Sequence, residues 1–484
     1  MSPNREGFDL AIDLPERSSR QLRQDLHRQL RSAIVGGRLQ PGLRLPSTRD
    51  LAATLGVSRN TVVAAYDLLL SEGYVSAGGR GGTIVADFLS RPLRRERARE
   101  ASGRDARLSP AWRAPTSLIA IGTTRRRYDF SIGIPDWKSF PFEVWRRLSA
   151  RALRAVSTSG ASYDEPEGRP KLREAIAGHI SFARAIACTP QDIVVTAGAQ
   201  QAFDLLARIL VTPGRTVVAI EEPGYPSLRN VLAAAGARIA PVPVDGDGLK
   251  VDRLPSDARV ICVTPSHQFP LGVRLSLPRR TALMDFARTR GAVIIEDDYD
   301  GEFRYAGRPL DALQTLDRSQ CVFYVGTFSK SMFPALRLGF VIAPPWAKHA
   351  LLAAKQLSDW HAPTVAQDIL SAFIAEGHLA RHVRKMRKVY SERREILLTA
   401  LARFCGEHLR VVGIGAGLHL ATYLTRRAPV AGLIHKAREA GIWLDDWQKF
   451  AAGHHRTEGL VFGYGAIGSH QIGDAVRQLA RLMN

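Results

Sequence analysis

A single lysine, Lys330, stands in a turn of small and hydroxyl-bearing residues, Gly326-Thr-Phe-Ser-Lys330-Ser-Met-Phe-Pro-Ala-Leu-Arg337-Leu-Gly-Phe, between two apolar runs that read as strands, Cys321 to Val325 and Leu338 to Ala343. An amine so placed can condense with an aldehyde, while Thr327 and the guanidinium of Arg337 hold a phosphate nearby. Upstream, Ile294-Ile-Glu-Asp297-Asp-Tyr299-Asp ends another apolar run with a carboxylate and a phenol. Asp297, at the carboxyl end of a buried strand, would pair with a protonated ring nitrogen, and Tyr299 would donate to a ring phenolate. Thr196-Ala-Gly198-Ala199-Gln200-Gln passes from strand to helix and would leave backbone N–H groups free for a phosphate. Tyr225, in Glu222-Pro-Gly-Tyr-Pro, is placed to stack on a flat ring. Aldehyde, phosphate, pyridinium and phenolate occur together in pyridoxal 5'-phosphate (PLP), with Lys330 as the catalytic residue that forms the internal Schiff base. Each residue alone has an ordinary reading: a surface lysine, a helix-capping aspartate, a core tyrosine. Their order along one chain favours the joint reading.

Such a set needs a rigid frame. From about residue 126 onward, short apolar runs alternate with amphipathic stretches: Ile193–Thr196, Thr216–Ile220, Val260–Thr264, Ala292–Glu296 and the two runs flanking Lys330 as strands, with Gln200–Val211, Tyr225–Ala235 and Pro278–Arg290 as helices. That alternation predicts an α/β domain built on a largely parallel sheet. Beyond residue 346 the pattern turns helical (Ala347–Trp360, Val365–Glu376, His378–Arg403) and ends in a smaller mixed segment.

Residues 11–86 read differently. Leu22, Leu26, Leu30 and Ile34 share one face of a helix, and Pro46-Ser47-Thr-Arg49 opens a short capped helix that closes on Gly56. Val57-Ser58-Arg59-Asn60-Thr61 then starts a second helix, and Gly78-Gly-Arg80-Gly-Gly82 forms the tip of a hairpin. Helix, turn, helix and hairpin make a winged helix-turn-helix whose second helix would enter a DNA major groove. Arg49, Ser58, Arg59, Asn60, Thr61 and Arg80 are the candidate DNA contacts. A helical dimerisation domain with solvated arginines is the alternative.

Residues 87–125 lose apolar periodicity and gather Arg91, Arg94, Arg95, Arg97, Arg99, Arg104, Arg107 and Arg113 against Glu96, Glu100 and Asp105, a linker that either attracts phosphates or is a passive tether. The whole chain of 484 residues carries a net charge of +21, which implies polyanionic partners without separating nucleic acid from acidic lipid. The N-terminus lacks the apolar core of a signal peptide, and no apolar run is long enough for a membrane span, so a cytoplasmic protein is expected. Cys188, Cys262, Cys321 and Cys405 are too widely spaced for a disulfide framework or a CxxC metal site; no metal is expected.

Leu45 to Val62 matches LP-x-x-R-x-L-A-x-x-x-G-V-S-R-x-T-V and closely resembles the winged helix-turn-helix of the GntR family. Residues 126–484 are similar to a fold-type I PLP-dependent transferase of the aminotransferase kind, with a large domain and a smaller C-terminal α+β domain. The matching pieces are Gly133-Ile-Pro-Asp136, Tyr163-x-x-x-x-Gly168-x-x-x-Leu172-Arg173, Thr264-Pro-Ser-His267-Gln268-Phe-Pro and Glu296-Asp-Asp-Tyr-Asp-Gly-Glu-Phe-Arg-Tyr305. The whole chain thereby resembles the MocR subfamily of GntR transcriptional regulators, in which such a domain follows a winged helix. The resemblance implies that Tyr163 reaches the phosphate of the neighbouring subunit's cofactor and that His267 and Gln268 line the ring's other edge. It also implies a domain-swapped, head-to-tail homodimer on double-stranded DNA with two half-sites.

Two positions depart from the family pattern. Leu271 replaces a threonine in Gln268-Phe-Pro-Leu271-Gly272, and Val461 stands where aminotransferases carry an arginine for the substrate carboxylate. Without that bidentate clamp an α-amino acid loses affinity and orientation. The expected function is therefore a PLP-dependent transcriptional regulator that senses PLP or an amine ligand, with turnover not its main role. The alternatives are a working aminotransferase with an appended DNA-binding domain and a repressor whose cofactor is purely structural.

Overall fold

The computed structural model describes residues 12, 14, 19–78, 82–87, 107, 109, 112, 126–159, 162–305, 311–413, 415–425, 430–453 and 458–483. The chain divides into two compact units, Met1–Ser102 and Gly103–Asn484.

In the first unit, helix α1 (Ser19–Val35) buries Leu26, Leu30, Ala33 and Ile34 against Leu51 of α2 (Thr48–Leu55) and Val62, Ala65, Tyr66 and Leu69 of α3 (Arg59–Ser71). The Ser47 hydroxyl accepts the Asp50 N–H at 3.2 Å to start α2. Gly56 ends it at φ +64, a left-handed conformation that side chains with a Cβ resist. Strands β1 (Val75–Gly78) and β2 (Gly82–Val85) pair antiparallel as the wing, and Arg44 bridges Ile84 along its edge.

The second unit is organised by an eight-stranded sheet. Its strands are β3 (Ile193–Thr196), β4 (Val217–Glu222), β5 (Arg238–Asp245), β6 (Gly248–Leu249), β7 (Ala258–Val263), β8 (Val293–Asp298), β9 (Val322–Thr327) and β10 (Gly339–Ile342), in the order β3-β10-β9-β8-β7-β4-β5-β6. The five strands from β9 through β5 run parallel, as the sequence pattern predicts; β10 runs antiparallel to both its neighbours. The Lys330 turn that joins β9 to β10 holds only one short 3-10 turn, Pro334–Leu336, where a parallel return needs a full crossover. Adjacent residues of β8 serve opposite layers. Ile295 packs with Phe203, Leu206 and Val341, and Ile294 with Leu283, Ala287 and Val322.

A second, antiparallel sheet of four strands, β11 (Leu409–Val412), β12 (His419–Leu424), β13 (Asp445–Asp446) and β14 (Gly459–Gly463), has the order β11-β12-β14-β13. The helices His378–Cys405 and Ser469–Met483 pack together beside it. Among the described residues no helix is long and apolar enough to cross a membrane.

Candidate functional site

Strand register assembles the site. Gly339 is the Cα partner of Thr196 on one side and of Thr327 on the other, so the carboxyl ends of β3 and β9 and the start of β10 form one row. One strand further along, Asp297 pairs with Val325, two residues back from Thr327. Lys330 follows directly from that row.

The Lys330 side chain is half-buried and its amine is enclosed; Nζ donates to the Gly133 carbonyl at 2.7 Å. Gly133 has φ +70, and a Cβ there would lie 2.6 Å from Nζ, so the lysine tip occupies the space that only glycine leaves. Burial pulls the Lys330 pKa below that of an ordinary lysine, against the opposing pull of Asp300 and Asp297. Asp297 is 4% exposed, and its Oδ1 has no hydrogen-bond partner. Burial, with Asp298 and Asp300 nearby, raises its pKa well above the carboxylate range.

The phosphate side is a backbone cradle. Helix α4 (Ala199–Leu210) begins at Gly198, φ +80, with no side chain capping it, so its first N–H groups, including those of Ala199 and half-buried Gln200, face outward from the helix. A Cβ on Gly198 would sit 3.1 Å from the Arg337 guanidinium carbon. Arg337, itself at φ +51, donates from Nη2 to the Ala197 carbonyl at 2.9 Å. The Thr327 hydroxyl accepts the Ser329 N–H at 3.2 Å.

On the opposite edge, the Tyr299 hydroxyl donates to the His267 carbonyl at 3.0 Å and lies 2.9 Å from His267 Nδ1, which is also 2.9 Å from Asp300 Oδ2. Burial raises the Tyr299 pKa, so the phenol keeps its proton. Tyr225 lies edge-on to Phe269 at 5.4 Å, and Phe269 edge-on to Tyr299 at 5.8 Å. Gln268, expected to line the ring's other edge, is buried next to His267. Its amide nitrogen donates to the carbonyls of Pro223 (2.8 Å) and Phe269 (2.6 Å) and its oxygen accepts the Leu271 N–H (3.1 Å), so the side chain ties loops together. Tyr163 is 77% exposed and stacks on Trp360 at 4.8 Å. Val461 is fully buried in β14 among Phe269, Leu271, Val273, Ala421, Trp447 and Phe450, an apolar cluster that also touches Tyr225 and Tyr299.

In the first unit, Arg49, Arg59 and Asn60 are exposed around the start of α3, with Arg59 Nε 3.5 Å from the Thr48 hydroxyl. Ser58 caps α3 by accepting the Thr61 N–H at 3.2 Å. Thr61, also expected to contact DNA, is buried, and its hydroxyl pairs with that of Ser58 at 2.8 Å as part of the cap. Arg80 and the linker arginines other than Arg107 lie outside the described residues.

Residues 128–440 match the model of the family "Aminotransferase class I and II", and residues 22–85 that of "Bacterial regulatory proteins, gntR family". The chain is 35% identical to the probable rhizopine catabolism regulatory protein MocR of Rhizobium meliloti, over 95% of this chain and 93% of that protein. The chain belongs to the MocR-type GntR transcriptional regulators. It is also 33% identical to the HTH-type pyridoxine biosynthesis transcriptional regulator PdxR of Corynebacterium glutamicum, over 95% of both proteins. The α-aminoadipate aminotransferase LysN of Thermus thermophilus, solved with N-(5'-phosphopyridoxyl)-L-leucine, superposes with a TM-score of 0.68 at 29% identity, covering 73% of this chain and 91% of LysN. This MocR-type regulator thus joins a DNA-binding head to an aminotransferase-like domain whose family cofactor is PLP.

The residues present fit that cofactor. The partnerless Asp297 oxygen is a buried acceptor in want of an N–H, the uncapped helix start offers donors to a phosphate, and the Lys330 amine is enclosed against the Gly133 carbonyl. Several contributors are not visible from the sequence pattern. Gly133 and Asp300 belong to motifs quoted above without a role of their own, and His419, buried 4.9 Å from His267 by ring centroid, lies in no motif that singles it out.

Proposed function

We propose that Lys330 carries PLP in this regulator. Occupancy of that site, by the cofactor or by an amine exchanging at it, then biases a homodimer between arrangements of its two heads on an operator with two half-sites. Asp297 carries the reading: a carboxylate buried with one oxygen unpaired is costly on its own and is relieved by a protonated ring nitrogen. The Lys330 amine, uncharged over a wider pH range than an ordinary lysine, is the group that would hold the cofactor's aldehyde carbon. When bound, PLP supplies an electrophilic carbon and an electron-accepting ring. Arg337, Thr327, Gly198, Ala199 and Gln200 hold the phosphate, Tyr299 donates to the ring hydroxyl, Tyr225 and His267 flank the ring, and Tyr163 serves the partner's site. The exposed Tyr163–Trp360 pair supports that last role.

Arg49, Arg59 and Asn60, together with Arg80, are assigned to DNA on the same grounds. Val461 supplies no cation for a carboxylate, which favours PLP itself or an amine without a conventional carboxylate as the signal. A ligand can shift the dimer only by its differential affinity for the two arrangements.

The test is fluorescence anisotropy with DNA from the region upstream of the protein's own gene, using cofactor-free protein with and without PLP, then a panel of amines. A PLP- or amine-dependent change in specific affinity, abolished in Lys330→Ala, is expected. Specific binding indifferent to PLP and to every amine, in wild type and variant alike, would reduce the site to a structural one.

A further inference from the structure

The backbone at Ala197, just ahead of the phosphate-facing helix, is gripped at both of its flanking peptide groups. Its carbonyl accepts from Arg337 Nη2 at 2.9 Å, and its N–H donates to Gln201 Oε1 at 2.7 Å. The far end of the Gln201 amide donates from Nε2 to Asp359 Oδ2 at 2.7 Å, and the other oxygen of Asp359 takes the ammonium of Lys355 at 2.5 Å. Lys355 has no exposed surface at all. It lies in helix Pro345–Asp359, whose Ala347 and Leu351 pack in one apolar cluster with Ala202, Phe203 and Leu206 of α4. A buried ammonium with one carboxylate partner holds that partner in a single geometry, because losing the contact would leave an unpaired charge away from water. Asp359 is therefore a fixed acceptor, and Gln201 spans from it to the loop. Beyond Asp359 the chain turns at Trp360, whose φ of +62 is unusual for a residue with a Cβ.

We propose that Gln201, held by the Lys355–Asp359 pair, is a positioning residue that aims the Ala197–Gln200 backbone at the cofactor's phosphate. The inference rests on the reading of Lys330 as the PLP-bearing residue. The Gln201 amide bonds to the Ala197 N–H and to Asp359, not to Lys330, Asp297 or Tyr299. It fixes the direction of a loop whose Gly198 is otherwise free to re-orient, and pre-set N–H groups bind an oxyanion without first having to be ordered. The relay therefore acts on the phosphate and not on covalent attachment at Lys330, which separates it from a bond network that merely stabilises the fold.

Cofactor-free protein, wild type and Gln201→Leu, is titrated with PLP and with pyridoxal, its phosphate-free counterpart, following the visible absorbance of the Lys330 adduct. Gln201→Leu is expected to bind PLP about tenfold more weakly, with pyridoxal affinity within about twofold of wild type. Equal losses for both aldehydes, or an unchanged PLP affinity, would overturn the inference. A wild-type protein that takes up neither aldehyde would overturn the Lys330 reading and the inference with it. Should Gln201→Leu fold poorly, Lys355→Met/Asp359→Leu removes the buried ammonium together with its partner carboxylate and should show the same selective loss. Lys355→Met/Asp359→Asn keeps an oxygen for Gln201 Nε2 and should recover most of the PLP preference; a PLP preference kept intact in the Leu double variant would sink the idea.

Discussion

Asp297 is poorly placed in the protein without its cofactor. Its carboxyl is fully enclosed, and Asp298 and Asp300 add negative charge beside it, so its pKa stands well above the value it has in an unfolded chain. A raised carboxyl pKa contributes stability at low pH, where the group is protonated in both states, and that contribution is lost as pH rises through the folded pKa. Near neutral pH the cofactor-free protein thus holds a charge, or a proton, at a cost. Replacement by a neutral amide removes that cost, so cofactor-free Asp297→Asn should melt a few degrees above wild type, with the gain shrinking as pH falls toward the ordinary carboxylate range. The same variant should bind PLP more weakly, because an amide cannot balance a pyridinium charge. Thermal melts across pH, paired with PLP titrations, check both halves. A variant less stable than wild type at neutral pH would mean that Lys330 leans on Asp297 more than burial strains it.

Helix α3 shows one element serving two ends at its first turn. Ser58 and Thr61 close the N-terminus on themselves, leaving Arg59 and Asn60 pointing outward. Ser58→Ala should cost the head about 1 kcal/mol of stability and weaken DNA binding with it. Asn60→Ala should weaken DNA binding alone. Denaturant melts alongside anisotropy separate the two, and a stability loss in Asn60→Ala would move it into the cap. Elements of this kind were legible because caps, glycines and apolar periodicity are local: α2, α3, the strand carrying Asp297 and the two strands flanking Lys330 fall within a few residues of their expected bounds. Strand β5 was not, since Pro241 and Pro243 argue against a strand, and it survives beside the two-residue β6 at the sheet's margin. The Lys355–Asp359–Gln201 relay was illegible for another reason. Its members sit on two helices about 150 residues apart in sequence, and a buried lysine reads as a surface one until the packing is known.

At the scale of the whole molecule the residues proposed to hold the cofactor lie in one compact unit and those proposed to read DNA in the other, so any response must pass as a coupling free energy between them. Coupling is reciprocal. If PLP tightens DNA binding tenfold, DNA must tighten PLP binding by the same factor. The physical origin of that factor can be read from salt. A chain with net charge +21 binds DNA with release of counterions, and the slope of log affinity against log salt counts the phosphates neutralised. If cofactor occupancy decides whether one head or both engage their half-sites, the weaker-binding form should show a slope roughly half that of the tighter form. Parallel slopes would mean that both heads stay engaged and that only the fit at each half-site changes. Anisotropy titrations at several salt concentrations, with and without PLP, distinguish the two. Arg59→Ala sharpens the comparison. Removing one phosphate or base-edge cation per head should lower affinity in both forms, and the PLP-dependent difference in slope should persist, because that difference arises from how many heads engage and not from any one side chain.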